Sequence, residues 1–149
     1  MSHDVTLAAR EPLPPSRWPA AWLAVAAARL LATRSPYTIG RVLRRLRGGA
    51  APATTAQASA ARAAVVTVSR RCATDTGCLQ RSLAAALLCR LGGVWPTWCT
   101  GVRTRPFSAH AWIAVDGTPV SERQSADYYT PVLTIPPVAR GQRTGKPNE

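Results

Sequence analysis

At 149 residues and 46% hydrophobic content, the chain is sized for one packed domain and is too short for two of ordinary size. Its formal charge of +12, from 19 basic and 7 acidic residues, would attract acidic peptides, nucleic acid or an acidic partner protein. Cys72, Cys78, Cys89 and Cys99 match no zinc-ligand spacing. No metal or cofactor is therefore expected.

Residues 1–17 contain Pro12, Pro14 and Pro15 without periodicity and read as a loose arm. The apolar run Ala20–Ala32 is helical in pattern, is interrupted by Arg29, and is shorter than the roughly 20 residues a membrane span needs. No signal peptide precedes it, so reduced thiols in a cytoplasmic protein are expected. A second helix is expected from Thr38 to Arg47, with Ile39, Val42, Leu43 and Leu46 on one face and Arg41, Arg44, Arg45 and Arg47 around it. It lacks the interleaved aromatics of a nucleic-acid platform and reads as a solvated or docking face, with no specific nucleic acid as partner.

Gly48-Gly49 stops that helix, and Ala50–Thr55 reads as a linker. A third helix covers Ala56–Ser69, and a polar loop from Arg70 to Gly77 leads into a fourth, Cys78–Leu91, stopped by Gly92-Gly93. Thereafter Val94–Val102, Ala109–Val115, Thr118–Glu122 and Pro131–Ile135 have the residues and length of strands. Helices first and strands afterwards give an α+β domain whose alanine-rich core is thin in aromatics. The chain divides into an arm and helical segment (1–55), a core (56–139) and a disordered tail (140–149).

Cys78 opens the fourth helix, where Asp75 or Thr76 is placed to cap it. Unpaired amides and the positive dipole end favour a thiolate there, and Arg81 adds to that field. A cysteine at a helix start is by itself ordinarily a small core residue. His110 changes the reading, because it is the only histidine besides His3 in the arm, and it opens an alternating strand. A helix-start thiol with a strand imidazole is what a thiol hydrolase needs to deprotonate its nucleophile and protonate the leaving amine. Cys72, Cys89 and Cys99 read as structural, and Trp112, two residues after the base, as core in preference to a wall of the site.

The third member depends on hairpin register around Asp116-Gly117. A two-residue loop would set His110 opposite Arg123, whereas a three-residue loop from Val115 to Gly117 sets it opposite Glu122. The three-residue loop or an equivalent bulge is expected, with Glu122 rather than Asp116 orienting the imidazole.

The stretch Cys78-Leu79-Gln80-Arg81-Ser82-Leu83, then His110-Ala111-Trp112-Ile113 and the Asp116-Gly117 turn, resembles the leader peptidases of lasso peptide biosynthesis. Those are cysteine peptidases of the transglutaminase-like, papain-related superfamily. The resemblance runs from about Ala61 to Ile135. It implies a nucleophile at a helix start packed on an antiparallel sheet, with Cys78 as nucleophile and His110 as base. Glu122 stands where the family has its aspartate. The implied substrate is a ribosomally made precursor peptide. The implied partners are an ATP-dependent, asparagine-synthetase-like macrolactam cyclase and a leader-recognition protein. The first fifty residues lack the strands of that recognition module, so a stand-alone peptidase with a separate recognition protein is expected. Transglutaminase- or acetyltransferase-like acyl transfer would use the same pair. A basic, non-enzymatic binding protein would leave the cysteine and histidine settings unexplained.

Overall fold

The structure, a computed structural model, describes residues 12–139. His3 and the tail from Arg140 lie outside the described residues. Helix α1 (Trp18–Ala32) begins with Pro19 in its first turn, where a missing amide costs nothing. Its buried residues Ala21, Ala24, Val25 and Ala28 form one stripe whose small side chains let α1 approach the third and fourth helices closely. Helix α2 (Pro36–Leu46) starts two residues before the expected Thr38. The Ser35 side chain caps the Thr38 amide at 3.3 Å, and Pro36 tolerates the first helical position. Ile39, Gly40 and Leu43 are its buried face, while Arg41, Arg44 and Arg45 are exposed.

The expected linker is partly structured. Strand β1 (Ala51–Pro52) pairs in parallel with β2 (Val94–Trp95), held by the Ala51 and Ala53 amides. Pro52, which has no amide to give, sits between those two donors. Helix α3 (Thr55–Val68) opens with a reciprocal cap, Thr54 accepting from the Gln57 amide and Gln57 accepting from the Thr54 amide. Helix α4 spans Cys78–Leu91. The single strand expected over Val94–Val102 is split at Pro96 into β2 and β3 (Thr97–Thr104).

Strands β3, β4 (Phe107–Val115), β5 (Thr118–Pro119) and β6 (Thr130–Ile135) form an antiparallel sheet in the order β5-β4-β3-β6. One sheet face carries Trp98, Ala111, Ile113 and Ile135 into the helical layer. The other carries Cys99, Trp112 and Ala114 against Tyr129. Helices packed on one face of an antiparallel sheet make this an α+β fold.

The core is less aromatic-poor than its composition implies, because Trp95 and Trp98 are fully buried at its centre. Each indole N–H has a partner there: Trp95 donates to the Ile135 carbonyl at 3.2 Å, and Trp98 to Ser82 Oγ at 3.1 Å. Residues of α1 and α2 join the same core as those of α4 and the sheet.

Candidate active site

Two short 3-10 turns, Arg71–Ala73 and Asp75–Gly77, deliver the chain to Cys78, the first residue of α4. Neither Asp75 nor Thr76 caps the helix. The N-cap is Gly77, with no side-chain hydrogen bond, because the preceding turn runs directly into the helix. Thr76 instead pairs with Thr74. The loop is held by Arg81, 8% exposed, whose Nη1 donates to the carbonyls of Cys72 and Thr74 at 3.1 and 3.0 Å.

Gly77 is required by space. A Cβ there would lie 1.8 Å from the Arg71 carbonyl oxygen, a backbone atom that cannot swing aside. Gly77→Ala is expected to destabilise the protein by about 3 kcal/mol and to displace Cys78. A lowered urea midpoint with an unchanged slope would register it, and an unshifted midpoint would refute it.

His110 lies on β4 opposite Gly101 of β3. On its other edge β4 pairs with β5 only at Ala114 and Val115, and with the Val120 amide at Ile113, so the edge is open at His110. At that edge the imidazole meets the Cys78 thiol, which also takes a hydrogen bond from the Ala111 backbone. Its Nε2 lies 2.9 Å from Glu122 Oε2, which leaves Nδ1 for the sulfur.

The hairpin is not the three-residue loop. Val115 pairs with Thr118, and Asp116 and Gly117 form a two-residue turn with φ of 50° and 78°, both left-handed. Glu122 reaches His110 because the ladder ends after Val120 and Ser121 turns the chain at φ 52°. The irregularity that brings carboxylate to imidazole thus lies at Ser121 rather than in the turn. Asp116 stays in the turn at the far end of β4.

Burial alone would push the Cys78 thiol up, yet its pKa is lowered by the hydrogen bonds from His110 and Ala111 and by the charges of His110 and Arg81. The other three thiols move the opposite way. Burial raises Cys72, and it takes Cys89 to about 12 and Cys99 to about 11. All four are free. Burial opposes a charged His110, but pairing with Cys78 and Glu122 outweighs it and raises the imidazole to about 9. The two shifts run in the direction that favours a thiolate beside an imidazolium.

Two aromatic rings complete the setting, of which Tyr129 was not anticipated from sequence. Tyr129 stacks on His110 with ring centroids 5.1 Å apart, and the buried Trp112 lies 5.9 Å from it at 13°. Trp112 is therefore both core and a wall of the site. Gly101 makes room for them: a Cβ there would come within 2.9 Å of the Trp112 ring and 2.7 Å of the Thr130 carbonyl. A cavity of about 360 Å³ opens beside the thiol, lined by apolar residues including Ile39, Leu79, Val102 and Val132. A polar one of about 440 Å³ lies against His110 and Glu122, lined also by Arg62, Arg81, Arg123 and Gln124.

A family model described as the transglutaminase-like superfamily matches residues 21–134. No curated protein and no solved structure gives a significant match.

Proposed function

The chain belongs to the transglutaminase-like superfamily, which includes cysteine peptidases and acyl transferases, and from that premise we propose that it is a cysteine peptidase that removes the leader from a ribosomally made lasso precursor peptide. The observation that carries the reading is the Cys78–His110–Glu122 relay at a helix N-terminus, set beside an apolar cavity able to receive a peptide side chain.

In this mechanism the Cys78 thiolate attacks the carbonyl at the leader–core junction. The resulting oxyanion is received by backbone amides at the start of α4, where the helix leaves its first N–H groups unpaired. His110 gives its proton to the leaving amine of the core peptide. It then takes a proton from the water that hydrolyses the thioester, releasing the leader as a carboxylate. Glu122 keeps Nε2 engaged so that Nδ1 faces the sulfur.

The freed core amine is the nucleophile that an ATP-dependent, asparagine-synthetase-like cyclase would consume in closing a macrolactam. A separate leader-recognition protein would bring the precursor. The exposed Arg41, Arg44 and Arg45 of α2 form no ion pair among the described residues, and α2 also supplies Ile39 to the cavity wall. That face is proposed to dock such a partner. No described helix is long and apolar enough to cross a membrane, and the four free thiols suit a cytoplasmic setting.

The test is mass spectrometry of a lasso precursor peptide incubated with the chain and the recognition protein. Leader carboxylate and free core amine are expected in equal amounts. An acylated amine product would favour acyl transfer, and an intact precursor would remove the leader-peptidase reading.

A further inference from the structure

Helix α3 consists of alanines, valines and small polar residues, with Arg62 its one charged side chain. Ala61, Ala64 and Val65 around it are buried, and the Arg62 side chain is itself only 15% exposed. Burial and the neighbouring Arg81 both push its pKa down, while Glu122 supports its charge. A guanidinium largely withdrawn from water on an apolar helix is costly unless a partner answers it. The partner here is Glu122: Arg62 Nη2 lies 3.6 Å from Oε1, while the other carboxylate oxygen, Oε2, lies 2.9 Å from His110.

Each carboxylate oxygen thus faces a different cation. Glu122 also lies beyond the end of β5, after the left-handed Ser121, where no ladder pairing fixes the chain. We propose that Arg62 is a positioning residue, anchoring Glu122 from α3 so that its second oxygen stays on His110 Nε2. The catalytic consequence rests on the peptidase reading; the geometric claim does not.

The sign of one measurement separates positioning from mere proximity. If Arg62 were only a nearby positive charge, removing it would raise the His110 pKa. If it holds the carboxylate in place, removing it frees Glu122 and lowers that pKa. The test uses Arg62→Gln and Arg62→Lys in the full chain. His110 is titrated by NMR, and Cys78 alkylation by iodoacetamide is followed across pH by mass spectrometry.

Arg62→Gln is expected to cost the imidazole about one unit, so that the His110 NMR titration midpoint, and with it the pH at which the thiolate–imidazolium pair loses its proton in the alkylation profile, falls from near pH 9 by about that amount. Arg62→Lys, which keeps a cation for Oε1, is expected to recover most of that loss. An unchanged or raised His110 pKa in Arg62→Gln overturns the proposal. Should that variant fail to fold, Glu122→Gln is compared with Glu122→Gln/Arg62→Gln, in which the guanidinium leaves together with its partner. Action through Glu122 expects no further change in His110, and an additive change overturns it. Because alkylation needs no peptide, failure to cleave any precursor would sink the peptidase reading alone.

Discussion

Cys78→Ala and His110→Ala are each expected to reduce leader cleavage by on the order of 10⁴-fold, and the double variant to lose no more than either alone. Groups that act as one nucleophilic unit behave this way, because removing either member already removes the attack step. The thiol is depressed chiefly through His110, so without the imidazole burial would dominate and Cys78 would move up, as its three neighbours do. His110→Ala should therefore also abolish selective alkylation of Cys78 at pH 6, even though the sulfur remains in place.

Alanine fits the first position of α4, and Cys78→Ala should keep its melting temperature within a few degrees. That separates lost chemistry from lost structure. Steady-state rates on the precursor peptide, with its recognition protein present, make the measurement. Residual cleavage above a few per cent in Cys78→Ala would mean that another nucleophile does the work.

The parts of the site differ in how far they could be read from sequence, and the reason is the range of the interactions involved. Helix α4 runs from Cys78 to Leu91 as expected, because Gly92-Gly93 ends it by local chemistry. Strand alternation placed His110 and Trp112 on one face, and the ladder follows it. The path to Glu122 was open to two registers, and the three-residue loop or an equivalent bulge was expected because it sets Glu122 opposite His110, against the Asp-Gly preference for a two-residue turn. What decided it was Asp116 accepting a left-handed conformation in a two-residue turn, followed by a second left-handed residue, Ser121, where a bulky or β-branched residue would be strained.

Arg62 and Tyr129 carry no motif. They reach the site only when α3 and the segment before β6 pack beside β4. A signal for Arg62 was nonetheless present: one arginine inside a run of alanines and valines must find an anion once that helix is buried. The expected helix cap failed for the converse reason. Asp75 and Thr76 were suitable residues at a suitable spacing, but tertiary contacts, chiefly Arg81 on the Cys72 and Thr74 carbonyls, wound that segment into a 3-10 turn.

The pH profile gives the second large effect. The reactive form pairs a Cys78 thiolate with a His110 imidazolium, so activity should rise as the thiol ionises below its ordinary range and fall as the imidazolium loses its proton near pH 9. Glu122 raises the imidazole through both its hydrogen bond and its charge. Glu122→Gln keeps the shape and removes the charge. It is expected to move the alkaline limb down by at least about one unit, and to lower kcat/KM at the optimum by about 10- to 100-fold.

Glu122→Asp asks a different question, since it keeps the charge and withdraws it by one methylene. Ser121 sets the local chain path, and Arg62 holds Oε1 from the opposite side, so the shorter carboxylate cannot satisfy both contacts. Loss of about tenfold in kcat/KM, with the alkaline limb lying between those of wild type and Glu122→Gln, is the expected outcome. An alkaline limb unmoved in Glu122→Gln would mean that His110 owes its charge to Cys78 alone, and Glu122 would then be a packing residue rather than the third member of the relay.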